Sequence, residues 1–306
     1  MKLLYEGIDI AGKISINRCE HETFAEKRSD QLILRFNDAA GLWNFWNPVR
    51  GEKVQLIDGS DDTGKMFITS IVPENGLFTL RAMSMPLSGE TVSSRSWENV
   101  KLFQMGQDIA AKHGLTFKTY GVTDRTYSYI KQERLTDFEF YHRRCQLEGC
   151  AMLIYDGALI VYDEKQMEAQ TPTGSIKIGD DGFFTYNDDS AQSYSKAEVV
   201  SGKFSGSFSD AKANTSRILR PKEPIECTSD AEAIRFARGL LRQANKNART
   251  GSFRRKLSRG YAAASVVNIE TSKAKAWDGK VFITRTRHDF LTGETKIFFR
   301  KPLEGY

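Results

Sequence analysis

Residues 31 to 37 alternate, with Leu32, Leu34 and Phe36 on one face. A period of two belongs to a half-buried strand. Val54 and Leu56 repeat the pattern after the turn at Arg50-Gly51. The run Gly64-Lys65-Met66-Phe67-Ile68-Thr69 comes next. Then come Pro73-Glu74-Asn75-Gly76, which has turn chemistry, and a second apolar strand from Leu77 to Ala82. Short strands at this spacing, with Gly and Pro between them, predict a small barrel or sandwich over residues 1–92.

The period changes at Ser93. A helix is expected from Ser96 to Gly114, with Leu102, Met105, Ile109 and Ala110 as its apolar stripe. Thr136-Asp137-Phe138-Glu139 reads as a capping box opening a second helix, with Phe138, Tyr141 and Cys145 on one face and Gly149 at its end. Asp156-Gly157 between two apolar runs predicts a tight hairpin. These elements make a small α/β module over residues 93–165.

Residues 166–192 are turn-rich and read as a connection with short strands. Strand character returns around Glu198 and over Gly202 to Phe208, where small residues are spaced as in a bent strand. Ser229-Asp230-Ala231-Glu232 is a second capping box, opening a helix at about 229–248. Ala233, Phe236, Ala237, Leu240, Leu241 and Ala244 form its apolar face, and Arg235, Arg238 and Arg242 its outer side. The chain then runs through Ala263 to Ile269 into Gly279-Lys280-Val281-Phe282-Ile283-Thr284. This nearly repeats residues 64–69. Both copies lead through a second strand to a Pro-Leu pair, Pro86-Leu87 and Pro302-Leu303, at spacings that differ by one residue. A matched hairpin with a matched exit points to internal duplication. The expected fold is therefore mainly β with an α/β insertion: two similar β domains, 1–92 and 166–306, bracketing the module.

Length and composition fit a folded chain of about two domains: 306 residues, 27% charged and 40% apolar. Glu6 and Asp9 interrupt the opening segment, so no signal peptide is expected, and no window is long enough to span a membrane. Synthesis and assembly in the cytoplasm are expected. The net charge of +5 is too mild to imply nucleic acid by itself. Its distribution is uneven, because no acidic residue falls between Ala233 and Ile269. Arg254, Arg255, Lys256 and Arg259 close that basic run, and a solvated or partner-facing surface is favoured over polyanion binding.

The chemistry of catalysis is not legible. The pairs Asp61-Asp62, Asp180-Asp181 and Asp188-Asp189 sit in turn sequences, where Asp caps backbone amides. Cys19, Cys145, Cys150 and Cys227 lack metal-ligand spacing, although Cys19-Glu20-His21 could form part of a zinc site. His113 falls at a helix end, His142 on a helix surface, and His21 and His288 beside strands. No catalytic residue, cofactor or metal is assigned. Trp43 and Trp46, in an aromatic cluster with Phe45, read first as a plug in one end of the first barrel and second as an anchor for a partner.

Taken in order, these pieces resemble the baseplate hub family of contractile phage tails and tailocins, also called late control D proteins. The resemblance covers most of the chain. It rests on Gly51 to Val54, Phe78 to Ser84, Ser96 to Val100, Asp108 to Leu115, Tyr127 to Tyr129, Gln132, Thr136 to Phe140, Glu148-Gly149, the hairpin of residues 155–164, and Arg300 to Tyr306. It implies a homotrimer whose paired tail-tube-like barrels imitate six subunits. The implied partners are a hexameric tail tube protein, a central spike protein, other baseplate proteins and a tape measure protein, with DNA contact at most transient. The implied location is the tail tip of a virion or tailocin. Some hubs of this family carry a fused hydrolase; the sequence closes after the second barrel, so none is expected. A tail-associated cell-wall hydrolase and a nucleic-acid-binding module using residues 235–259 stand as alternatives.

Overall fold

The computed structural model describes every residue except 27, 28, 179–182 and 214. Asp180 and Asp181 therefore lie outside the described residues. The first β unit comprises β1 (Lys2–Tyr5), β2 (Ile8–Asp9), β3 (Ser15–Phe24), β4 (Gln31–Asn37), α1 (Leu42–Trp46), β5 (Lys53–Asp58), β6 (Asp61–Asp62), β7 (Met66–Glu74) and β8 (Leu77–Met83). Its main path runs β3-β4-β8-β7-β5-β1. Leu32, Leu34 and Phe36 point inward as their alternation predicts, and join Leu3, Met66, Ile68, Phe78 and Leu80 in one core.

The module comes next: β9 (Val92–Lys101), α2 (Leu102–Lys112), β10 (Thr116–Tyr120), β11 (Thr126–Thr136), α3 (Asp137–Leu147), β12 (Cys150–Tyr155), β13 (Ala158–Asp163) and α4 (Glu164–Ala169). Residues 96–101 are a strand, where a helix was expected. Trp97 pairs with Ile130 and Val100 with Tyr127 in a long β9–β11 ladder, and that pairing outweighs the local helical pattern. The helix begins at Leu102, and its first turn is capped from outside, by Asp124 accepting from the Phe103 amide at 3.0 Å. The capping box at Thr136 and Glu139 forms as read. Asp156 and Gly157 both take positive φ, 45° and 69°, the geometry of a two-residue hairpin turn.

The second β unit contains β14 (Ser175–Ile178) and β15 (Phe184–Asp188). An excursion interrupts it, β16 (Lys196–Ser201), β17 (Phe204–Ser209), β18 (Ile218–Leu219) and α5 (Asp230–Asn245). The unit resumes with β19 (Arg249–Lys256), β20 (Val266–Thr271), β21 (Gly279–Asp289) and β22 (Glu294–Arg300). The excursion was expected in the second β domain. Instead Ala197, Val199, Ala233, Phe236 and Leu241 bury in the same core as α2 and α3, so these residues enlarge the module. Ser229 caps α5 as read, but Glu232 reaches back to the Thr228 amide and hydroxyl, one residue earlier than the expected box.

The second unit runs β15-β19-β22-β21-β20-β14. Leaving aside the two-residue strands β2 and β6 and counting within each unit, both paths read second, third, sixth, fifth, fourth, first. The likeness extends to detail. β7 and β21 each carry a register shift at the Thr closing the repeated run, between Ile68 and Ser70 and between Ile283 and Arg285. A bulge bends a strand and re-aims its remaining residues. One pairing differs, since β1–β5 is antiparallel and β14–β20 parallel. Residues 64–85 and 279–301 thus occupy equivalent places in two similar units.

Two glycines set how closely α5 can lie. A Cβ on Gly239 would stand 2.2 Å from the Leu147 carbonyl oxygen, and one on Gly206 would stand 2.3 Å from the Ile234 nitrogen. Replacing an ordinary helical Gly by Ala stabilises by about 1 kcal/mol. Gly239→Ala is expected to do the opposite and destabilise by ~2–4 kcal/mol through forced displacement of α3. Urea denaturation of the variant checks this; a gain in stability would contradict the close packing.

Candidate interface and inter-unit seam

The two β units are one sheet. After its bulge β21 leaves β20, and Arg285 to Asp289 pair with Phe24 to Glu20 of β3. On the outer face Arg285 pairs with Glu22 at 2.7 Å, and Arg287 with both Glu20 and Glu22. On the inner face the Thr23 and Thr286 hydroxyls meet at 2.6 Å. His21 and His288, expected beside strands, face each other across the ladder. His288 is held by the Thr295 hydroxyl (2.9 Å) and the Tyr261 carbonyl (3.0 Å).

Beside this seam is a recess of ≈ 350 Å³ lined by His21, Asp30, Asp61, Asp62, Tyr155 and His288, among others. Burial, aided by the neighbouring His288, pushes His21 down to about 3. Burial raises Asp30 to about 7, against the Phe24 amide that it accepts. Asp61 accepts the Gly260 amide and Asp62 the Gly64 amide; Asp188 accepts the Ser190 amide. Asp62 and Asp188 cap turns as read from sequence, whereas Asp61 reaches across to a loop of the second unit. Among the described residues no group of three or more His, Cys, Asp or Glu side chains is placed to hold a metal. Cys19 lies buried in the first core, and burial pushes its thiol up to about 12.

A second junction joins all three bodies. Glu164 and Glu168 of α4, Arg242 of α5, Lys246 at its C-terminal cap, Arg300 of β22 and Glu26 after β3 form one ion cluster. Arg242 was expected on the outer side of its helix; it is 3% exposed and donates to Glu164 at 2.9 Å and Glu168 at 2.6 Å. Arg235 likewise turns inward to Glu148. Burial raises the Glu164 carboxyl, but Lys246, Arg300 and Arg242 outweigh it and hold the group at about 2. Ala25, Tyr162 and Phe282 pack together nearby, one from each body, and the Tyr162 hydroxyl donates to the Ala25 carbonyl at 2.7 Å.

The candidate interface residues fall into two groups. Trp43 is 2% exposed and stacks between Phe36 (4.3 Å) and Phe78 (5.4 Å), so it is the plug of the first unit. Trp46 is half-buried against its edge, while Phe45 beside them is 85% exposed. Arg254, Arg255 and Lys256 are exposed on β19, Arg254 over the Phe183 ring and Arg255 over Tyr261. Arg259 is tied to Asp58 of the first unit, its Nε 3.0 Å from Oδ2. The structure does not bring the tryptophans and the basic group together. Arg254, Arg255 and Lys256 end the third strand of the second unit, whereas the tryptophans lie in α1, after the third strand of the first.

A chain of three side chains escaped the sequence reading. The Ser88 hydroxyl lies 2.8 Å from His113 Nδ1, and His113 Nε2 lies 3.0 Å from Asp137. The order resembles a hydrolase triad. However, Asp137 is shared with Lys112 and Gln132 at 2.7 and 2.9 Å, with Arg95 nearby. Burial raises its carboxyl, and the bonds from Lys112, Gln132 and His113 prevail and hold it well below the usual range. The carboxylate is committed to joining β9, β11, α2 and α3.

No family model matches the chain, and no curated protein matches it. Solved structures do. A tail protein from Neisseria meningitidis MC58 aligns with a TM-score of 0.75 at 11% identity, covering 98% of this chain and 95% of that one. The 43 kDa tail protein of prophage MuSo2 from Shewanella oneidensis aligns at 0.74 and 14%, covering 98% of each. The E. coli c3393 protein, a type VI secretion component with structural similarity to T4 tail proteins, aligns at 0.64 and 12%, covering 100% and 79%. The chain has the fold of a phage tail protein.

In this tail-protein fold the seam and the ion cluster fix the relative placement of the bodies, and each makes a measurable prediction. Truncating Arg300 to Met leaves the buried ion cluster one cation short and is expected to cost about 3–5 kcal/mol, whereas Arg254→Met on the surface is expected to stay within ~0.5 kcal/mol; equal losses in urea denaturation would contradict this. The two seam groups set opposing pH dependences. An unfolded histidine takes a proton near 6.5, and folded His21 refuses it down to about 3. Its contribution is therefore intact above about pH 6.5 and falls as pH drops. An unfolded Asp ionises near 3.8, and Asp30 keeps its proton to about 7, so that contribution is full at low pH and lost as pH rises to 7. Relative to wild type, Asp30→Asn is expected to gain ~2–4 kcal/mol between pH 4 and pH 8. Parallel stability profiles would contradict the assignment.

Proposed function

We propose that this chain is a structural baseplate hub at the tip of a contractile tail, in a phage or tailocin particle. Three copies form a ring whose two β units per chain present six similar edges to a hexameric tail tube. The opposite side holds a threefold central spike. The observation that carries this reading is the repeated strand order, with the same bulge at Thr69 and Thr284. Two units so alike can meet equivalent tube edges. A heterologous contact between them closes into a ring when the rotation closes.

The units also differ where a threefold partner needs them to. The end of the third strand carries Arg35, Phe36 and Asn37 in the first unit and Arg254, Arg255 and Lys256 in the second, and only the first unit follows it with an aromatic plug and exposed Phe45. Around a ring these would alternate, giving a threefold pattern on a sixfold frame. The basic group suits acidic protein segments of the spike, of other baseplate proteins or of a tape measure protein. With Arg259 neutralised by Asp58, it is a weak phosphate grip, in keeping with DNA that passes without being held. The reading needs no cofactor and no turnover.

Imaging of the assembled particle tests it. A label on this chain should appear on the tail axis at the tip, between tube and spike. A position on the sheath, the fibres or the head would overturn the reading. Reversing Arg254, Arg255 and Lys256 to Glu is expected to weaken tip assembly severalfold; intact assembly with altered DNA passage would overturn the assignment to protein contact.

A further inference from the structure

The intrachain seam specifies a second seam that this chain cannot make alone. In the first unit β3 is the second strand, and its outer edge pairs with β21, the fifth strand of the other unit. The corresponding second strand of the other unit is β15. Among the described residues its outer edge carries no ladder, and Thr185, Asn187 and Asp188 are exposed. The corresponding fifth strand is β7. Beyond its bulge, residues 70–74 pair only with β8, and Val72, Pro73 and Glu74 are exposed. The chain therefore holds one seam completed internally and both halves of an equivalent seam left open. Such free edges ordinarily invite pairing with another chain.

We infer that the open edge of β7 (residues 70–74) receives β15 of a second copy of this chain, antiparallel, as β21 receives β3 within one copy. This deepens the hub reading and rests on it for the number three. The register comes from the repeat. Met83 and Arg300 are equivalent because their partners, Phe67 and Phe282, hold the same place in the repeated run. Their partners on the next strands are Gln31 and Thr250, and the partners of those are Glu22 and Asn187. Val72 stands where Arg287 stands, and Arg287 faces Glu22. Val72 of one copy therefore faces Asn187 of the next, with Ile71 opposite Asp188, Pro73 opposite Tyr186 and Glu74 opposite Thr185.

The two seams would differ in strength. The internal seam has Arg285 and Arg287 bound to Glu22 and Glu20. In the open seam Ser70 and Val72 stand in place of the two arginines, and Asn187 and Thr185 in place of Glu22 and Glu20, so no such pairs form. Pro73 also lacks the N–H that His288 supplies. Proline on an edge strand discourages promiscuous ladders. A seam weakened in this way forms between folded chains, while the stronger one forms during folding.

The Ala25 amide donates to the Thr284 carbonyl, so residues 284, 286 and 288 aim at β3, while 285 and 287 form the closer, non-hydrogen-bonded pairs. Val72 and Asn187 inherit that closer type, which suits a disulfide. The test is the full-length chain carrying Val72→Cys and Asn187→Cys, oxidised, then run non-reduced beside each single variant. The four native cysteines are buried, so background linkage is low. Glu22→Cys with Arg287→Cys, expected to close within one chain, serves as the control. Native mass spectrometry of the unmodified protein runs in parallel. The expected result is loss of most free monomer into linked dimer and trimer, at least tenfold above either single variant. If native mass shows a trimer and the control closes, yet the 72/187 pair stays unlinked, the seam is wrong and the hub reading stands. If native mass shows only monomer at tens of micromolar and no linkage forms, the seam and the threefold ring both fall.

Discussion

Strand β3 pairs on both edges, with β4 on one side and β21 on the other, and the rest of the molecule is arranged around that fact. The bulge at Thr284 makes it possible. Before it, β21 belongs to the second unit's own ladder with β20; after it, the strand turns to the first unit. Two separate cores are joined by one continuous sheet, closed by opposite charges outside and a hydroxyl pair inside. A linker would have left their angle free. A shared ladder fixes it.

The module is held to this sheet by buried charge as well as by apolar contact. The contacts shared by all three bodies are the small cluster around Tyr162 and the cluster of Glu164, Glu168, Arg242, Lys246, Arg300 and Glu26. Buried ion pairs contribute little net stability, because desolvation offsets their attraction, but an unpaired member is costly. Such a cluster tolerates one arrangement and penalises displaced ones. The final segment adds to the lock. Leu303 donates its amide to Glu168, and the Tyr306 hydroxyl contacts Asn245 and Asp210.

Local signals were legible in the sequence and long-range ones were not. The Thr136 capping box, the Asp156-Gly157 turn, the alternation of β4 and the repeated hairpin each depend on a few adjacent residues, and all formed. Residues 96–101 misled because their partner strand lies some thirty residues further on, and pairing with it overrides helical spacing. Arg242 read as an outer residue because its spacing matches Arg235 and Arg238. Only the acids of α4, far upstream, explain its burial. The assignment of residues 193–245 failed for a related reason: they interrupt the second unit between its second and third strands, where the first unit has a plain β3–β4 connection. Of the candidate site, the identity of Trp43 as a plug was readable, while the open edges of β7 and β15 became visible only once the ladders were known.

The repeated strand order gives a geometric account of how one chain could serve two symmetries, with likeness in the sheets and difference in the residues at and after the third strand of each unit. Its central claim is that the two units are related by a rotation that a ring can repeat. An experimental structure of the assembled protein measures this directly, as the rotation that carries strands β1, β3, β4, β5, β7 and β8 onto β14, β15, β19, β20, β21 and β22. The account predicts about a sixth of a turn around the axis of the assembly, repeated from chain to chain. A rotation far from that value, or an axis outside the particle's own, would contradict it.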